Sequence, residues 1–173
     1  MTPNANLHVC IRWLVQRDVP AVLAVERACF EYAWTEQDFR RCLKLPNCVG
    51  MVAEEGRTIV GFMVFKVFRP RVALLNLAVD PHRRRRGIGG RMLGQLILKA
   101  SGYGHDRITL AVRETNLGAQ RFFRAQGFRA TGVLRGYYED SGEDAYRMVY
   151  RLVGTDALRT AHGPFPETRP NGA

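Results

Sequence analysis

The apolar run Leu74-Leu75-Asn76-Leu77-Ala78-Val79 passes through Asp80-Pro81-His82 into Arg83-Arg84-Arg85-Arg86-Gly87-Ile88-Gly89-Gly90, and there the hydrophobic period changes. Ahead of the arginines the pattern is that of a buried strand. Behind the glycines, Met92, Leu93, Leu96, Ile97 and Ala100 recur at helical spacing. Such a strand–turn–helix junction is suited to holding an anion. Glycines let backbone N–H groups approach it closely, the helix N-terminus adds a positive dipole end, and the arginines add full charges. Two better-known phosphate motifs do not fit. The P-loop pattern Gly-x-x-x-x-Gly-Lys-Ser/Thr is absent, and a dinucleotide fingerprint needs glycine where Met92 stands. A plain basic patch for RNA has no need of the glycines.

The rest of the chain alternates element types in a way that places this junction. Val9–Leu14 reads as a strand, and Asp18 is expected to cap a helix that has Pro20 in its first turn and Val19, Val22, Leu23 and Phe30 on one face. Thr35-Glu36-Gln37-Asp38 resembles a capping box opening a second helix with Phe39, Cys42 and Leu43 inward. Val49–Glu54, Ile59–Phe68 and Val72–Val79 read as strands, the first two joined at Glu55-Gly56-Arg57. After the helix at Met92–Ala100, Gly102-Tyr103-Gly104 is a stop signal. Ile108–Val112 is a strand, Asn116 caps a helix carrying Ala119, Phe122 and Phe123, and Gly127 ends it. Phe128–Leu134 and Ala145–Leu152 close the order β-α-α-β-β-β-α-β-α-β-β, a mixed α/β sheet with helices on both faces.

Composition bounds the remaining possibilities. The chain has 173 residues, of which 46% are hydrophobic and 24% charged, enough for one domain with a real core. The apolar runs fall short of the roughly 18 residues that span a bilayer. No basic-then-apolar start follows Met1-Thr2-Pro3-Asn4, so a cytoplasmic protein with no membrane partner is expected. Residues 1–152 are read as the domain, and 153–173, with Gly-Pro-Phe-Pro and Arg-Pro-Asn-Gly, as a flexible tail. Cys10, Cys29, Cys42 and Cys48 lack metal-ligand spacing and are expected to be four buried thiols, with neither a metal site nor a disulfide framework. The formal charge of +10 invites an acidic partner, but among 26 cationic residues only Lys44, Lys66 and Lys99 are lysines, and only Arg83–Arg86 is a cluster. No direct nucleic-acid partner is expected.

Arg84-x-x-Gly87-x-Gly89 after Leu77-Ala78-Val79, continued by Asn116, Phe123 and Gly127-Phe128, resembles the acetyl-CoA loop and following elements of the GNAT acyltransferase superfamily over roughly residues 8–152. The resemblance implies a three-layer GNAT-like fold and acetyl-CoA as acyl donor. It also implies contacts: main-chain groups along Leu77, Ala78 and Val79 on the pantetheine and thioester carbonyl; backbone N–H groups of Arg85, Arg86, Gly87, Ile88, Gly89 and Gly90 on the pyrophosphate, with Arg84 beside it; Asn116 on the pantetheine arm; Phe123 along the thioester. Arg135-Gly136-Tyr137-Tyr138 followed by Gly142-Glu143-Asp144-Ala145-Tyr146-Arg147-Met148 is similar to protein N-terminal acetyltransferases, especially the bacterial ribosomal-protein-alanine type. That similarity implies a protein or peptide N-terminus as acceptor, with Tyr137 and Tyr138 over its first residues, and a monomer or homodimer.

The pattern breaks at the chemistry. Where the ribosomal-protein type carries a glutamate base before Val-Arg, this chain has Ala111, and where it carries a tyrosine acid, this chain has Phe123. Losing a general base costs about 10²–10⁴ in rate, roughly 3–5 kcal/mol of barrier. An α-amine with a pKa of about 7.7–8.0 is already about a tenth neutral at pH 7, whereas a lysine amine is neutral in only about one part in a thousand. The break therefore favours α-amines over lysines. Glu31, between the first two helices, is a candidate to act through water, and Tyr138 or Tyr137 to protonate the sulfur. Three other readings stay open on sequence alone: a small-amine acetyltransferase, a non-catalytic acyl-CoA-binding module, and an RNA-binding module.

Overall fold

The computed structural model describes residues 8–153. Seven strands and four helices follow one another in the expected order: β1 Val9–Trp13, α1 Val19–Cys29, α2 Glu36–Leu43, β2 Cys48–Glu55, β3 Thr58–Val67, β4 Arg71–Val79, α3 Ile88–Gly102, β5 Arg107–Arg113, α4 Leu117–Ala125, β6 Arg129–Tyr138 and β7 Glu143–Arg151. The strands form one mixed sheet in the order β1-β2-β3-β4-β5-β7-β6. β4 and β5 run parallel, and β1–β2, β5–β7 and β7–β6 are antiparallel. Among the described residues no helix is long and apolar enough to cross a membrane. The tail read as flexible lies outside the described residues from position 154 onward. Contacts divide the chain into two compact units, one of residues 8–64 and 76–92, the other of 65–75 and 93–153.

The first unit is organised by an aromatic file. Trp34 meets Phe39 edge-on at 5.1 Å, Phe39 meets Phe62 at 5.5 Å, and Val22, Val52 and Val64 close the core around them. The capping box of α2 forms as its spacing predicts: Asp38 N–H donates to Thr35 Oγ1 at 3.2 Å, and Thr35 N–H donates to Asp38 Oδ2 at 2.8 Å. Asp18 behaves differently from expectation. Its buried carboxylate does not cap α1 but accepts from both terminal guanidinium nitrogens of Arg12, at 2.7 and 3.0 Å, and from the Val15 N–H at 2.9 Å. The ion pair draws the side chain back into the preceding turn. Phe30 ends α1 as its C-cap instead of lying on its face.

The cysteine expectation is also corrected. Cys42 and Cys48 are disulfide-bonded, Cys10 is exposed and Cys29 half-exposed. Leu45 N–H donates to the Cys42 carbonyl and Cys48 N–H to the Leu45 carbonyl, at 3.0 and 3.1 Å. These consecutive turns fold the connector between two cysteines six positions apart so that the two Cα atoms stand 5.9 Å apart, within bridging range.

In the second unit β5 alternates strictly, with Ile108, Leu110 and Val112 buried and Thr109, Ala111 and Arg113 on the opposite face. Asn116 caps α4 as expected, accepting the Ala119 N–H at 3.0 Å. Phe122 and Phe123 of that helix, Phe128 and Tyr150 meet one after another, edge-on or tilted, at 5.1, 5.5 and 5.4 Å. Gly127 (φ +96°) is required there, because a Cβ would stand 3.0 Å from the Tyr150 ring. β6 runs four residues beyond its expected end at Leu134. Gly136 (φ +56°) and a register shift between Leu134 and Tyr138 let the strand resume, so Tyr137 and Tyr138 lie on a strand end and not in a loop.

Candidate active site

At the end of β4, in the first unit, Asp80 accepts the His82 N–H at 2.9 Å and starts a single tight turn through Arg83. The backbone then goes extended at Arg84 and left-handed at Arg85 (φ +64°) and Gly87 (φ +75°). A left-handed arginine is uncommon and costs on the order of 1–2 kcal/mol. α3 begins at Ile88, whose side chain is buried, and Arg91 N–H donates to the Gly87 carbonyl. Between them, the N–H groups of Arg84 through Gly90 donate to no acceptor among the described residues. The turn is a concave run of donors at a helix start, the chemistry of an anion cradle.

The four arginines divide their labour. Arg83 and Arg86 reach one buried carboxylate, Glu55, at 2.8 and 2.7 Å. Arg84 Nε turns back onto the Val79 carbonyl at 3.0 Å, and the Cys29 thiol lies 3.3 Å from the same oxygen. Burial pushes the Cys29 thiol pKa up. Arg85 is exposed. Close packing stations the strand beneath: a Cβ on Gly61 of β3 would sit 3.0 Å from the Ala78 carbonyl and 3.3 Å from Met92 Sδ. Leu77 is half-buried and Ala78 buried on the same strand.

Glu31 lies exposed in the turn after α1. The glutamate that organises this region is Glu26, which the sequence reading missed. Its buried carboxylate accepts the Trp34 N–H at 2.8 Å and Asn76 Nδ2 at 3.0 Å, tying the α1–α2 connection to β4. Burial raises its pKa. A signal existed, since Glu26 continues the apolar series Val19, Val22, Leu23 at i+7.

In the second unit the tyrosine pair is built into a polar cluster. Tyr138 donates its hydroxyl to the Ala111 carbonyl at 3.3 Å, at the position where a glutamate was expected. The Arg113 guanidinium lies 3.8 Å from the centre of the Tyr138 ring, a cation–π contact. Arg113 also donates to Asp140 at 2.6 Å, to Ser141 Oγ at 2.8 Å and to Glu143 at 2.9 Å, and Thr115 donates to Glu143. Burial pushes the Tyr138 phenol up to about 12. Tyr137 is half-exposed and meets Tyr138 edge-on at 5.0 Å. Phe123 stands edge-on between Phe122 and Phe128 at 8% exposure.

The model of the Acetyltransferase (GNAT) family matches residues 19–128, from the start of α1 through α4. The chain belongs to the GNAT acetyltransferase family. Its relatives narrow the chemistry. The ribosomal protein bS18-alanine N-acetyltransferase of Escherichia coli (strain K12) is 29% identical over 133 residues, 76% of this chain and 89% of that protein. The N-alpha-acetyltransferase RimI of Mycobacterium tuberculosis is 34% identical over 119 residues, 66% of this chain and 73% of that one. The crystal structure of the ribosomal-protein-S18-alanine N-acetyltransferase from Escherichia coli superposes with a TM-score of 0.78 at 26% identity, over 87% of this chain and 99% of its own. This GNAT protein is accordingly an acyltransferase of the N-acetyltransferase type, and the mixed α/β sheet read from the sequence is that family's fold.

Proposed function

We propose that this enzyme transfers the acetyl group of acetyl-CoA to the α-amine of a protein N-terminus, with a ribosomal protein as the leading acceptor class. The observation that carries the reading is the run of N–H donors from Arg84 to Gly90, a fit for the CoA pyrophosphate, in a chain whose relatives are named for N-terminal acetylation. In this reading the main chain of β4 from Leu77 to Val79 aligns the pantetheine, Asn116 lies along it, and Tyr137 and Tyr138 face the incoming peptide. The cytoplasm is the compartment in which such an acceptor is met.

The neutral amine attacks the thioester carbonyl, an N–C bond forms, the C–S bond breaks, and the thiolate leaves. The amine proton is released and the thiolate takes one up. Tyr138, with its pKa near 12, keeps its proton at neutral pH and suits the second task. Its high pKa leaves almost no phenolate at neutral pH to act as a base. The α-amine supplies its own neutral fraction, which matches the alanine at position 111. Glu31, exposed beside the α1–α2 turn, is available to receive the amine proton through water.

The test is to incubate the protein with acetyl-CoA and peptides beginning Ala, Ser, Met or Gly and to follow peptide mass. One acetyl group on the α-amine of an Ala- or Ser-starting peptide is expected. Acetylation of polyamines or aminoglycosides, with every peptide N-terminus untouched, overturns the acceptor in favour of small amines.

A further inference from the structure

Glu55 is the last residue of β2, next to the left-handed Gly56, and its side chain is 4% exposed. Its two carboxylate oxygens take different partners: Oε2 accepts from Arg83 Nε at 2.8 Å and Oε1 from Arg86 Nη2 at 2.7 Å. Those two arginines bracket Arg84 and Arg85, the stretch where the chain changes from extended to left-handed. An unfavourable backbone of this kind persists only when its surroundings over-determine it. Four adjacent guanidinium groups also repel one another, and a shared buried carboxylate offsets that repulsion for two of them. The Arg86 contact holds the Glu55 carboxyl below the usual carboxylate range, so the clamp is charged at neutral pH.

We infer that Glu55 is a positioning residue for acetyl-CoA: by gripping Arg83 and Arg86 on either side of Arg85, it holds the Arg84–Gly90 N–H groups in the shape that receives the pyrophosphate. The inference rests on the reading of that turn as the acetyl-CoA site. It assigns Arg83 and Arg86 a scaffolding task, and it leaves the ligand to the backbone donors, with Arg84 and Arg85 beside them.

The sign of one substitution separates this from simple electrostatics. Glu55→Gln makes the loop more positive, so long-range attraction alone predicts tighter binding of a polyanion. Loss of positioning predicts weaker binding. Acetyl-CoA affinity is measured by titration calorimetry at low and moderate salt for the wild type, Glu55→Gln and Glu55→Asp, with amide exchange on the free proteins. The expected result is at least tenfold weaker binding for Glu55→Gln, with faster exchange confined to residues 84–90. Glu55→Asp keeps the charge on a shorter arm and is expected to weaken binding about threefold. Equal or tighter binding by folded Glu55→Gln overturns the inference. If that variant fails to fold, Glu55→Asp decides, and affinity indistinguishable from wild type overturns it. Absence of acetyl-CoA binding by the wild type removes the acetyl-CoA reading itself, and the inference with it.

Discussion

The β4–α3 turn and the Tyr138 cluster are built from different materials. The turn presents backbone N–H groups, and its side chains are turned to one another and to the backbone: Glu55 clamps Arg83 and Arg86, and Gly61 clears space beneath. The cluster presents side chains, with a phenol bonded to the Ala111 carbonyl and an arginine laid on its ring and fixed by Asp140 and Glu143. Backbone chemistry survives almost any side-chain change that preserves the path. Side-chain chemistry is lost with one substitution, and Ala111 and Phe123 show two such losses relative to the expected pattern. The turn is therefore recognisable from the GNAT pattern where positions 111 and 123 depart from it.

The comparison breaks most visibly at Tyr138. Tyr138→Phe removes the proposed proton donor, and kcat is expected to fall about 10²–10⁴-fold with little change in acetyl-CoA affinity. In the wild type, activity is expected to rise between about pH 7 and 9 as the α-amine loses its proton. No alkaline decline is expected until the pH approaches about 12, since Tyr138 stays protonated below that. A fall beginning near pH 9 would argue against Tyr138 as the acid.

Crowding the donor end without touching charge sharpens the other side. Gly61→Ala drives a Cβ against the Ala78 carbonyl and Met92, and an overpacking cost of about 1–3 kcal/mol is expected, read from urea unfolding. Acetyl-CoA affinity should drop with it, because both neighbours support the turn.

Ala111→Glu places a carboxylate on β5 where the family resemblance led one to be expected. Its expected signature is a rate gain of about tenfold at pH 6, where few α-amines are neutral, shrinking toward pH 9. A uniform gain across pH would mean that the new carboxylate helps binding and not proton removal. The smallest effect belongs to Thr35→Ala, which removes the α2 cap. About 1 kcal/mol of stability should be lost in thermal or urea unfolding, with acetyl-CoA affinity unchanged.

What could be read from the sequence follows the range of the interactions. The element order, the Thr35–Asp38 box, the Asn116 cap and the strand–turn–helix around Gly87 rest on residues a few positions apart, and all appear as spacing predicts. The misreadings involve distant or competing partners. Asp18 had a local role available, but Arg12 claimed its carboxylate. Cys42 and Cys48 meet because the connector winds into turns that no cysteine spacing announces. β6 outran its hydrophobic pattern because a glycine bend and a register shift carried it onward. At the site the same rule holds. The loop is written in consecutive letters, whereas Glu55 and its arginines are 28 and 31 positions apart and Glu26 and Asn76 are 50 apart.

The outermost strand, β6, has few half-buried residues and pairs on one side only, with β7. A long row of open amides and carbonyls at a sheet margin invites a neighbouring molecule to add itself as the next strand. This margin is broken twice, between Ala130 and Gly132 and between Leu134 and Tyr138, and it carries Arg129 and Arg135. The same irregularity that precedes the two tyrosines thus also spoils the straight template on which strand addition depends.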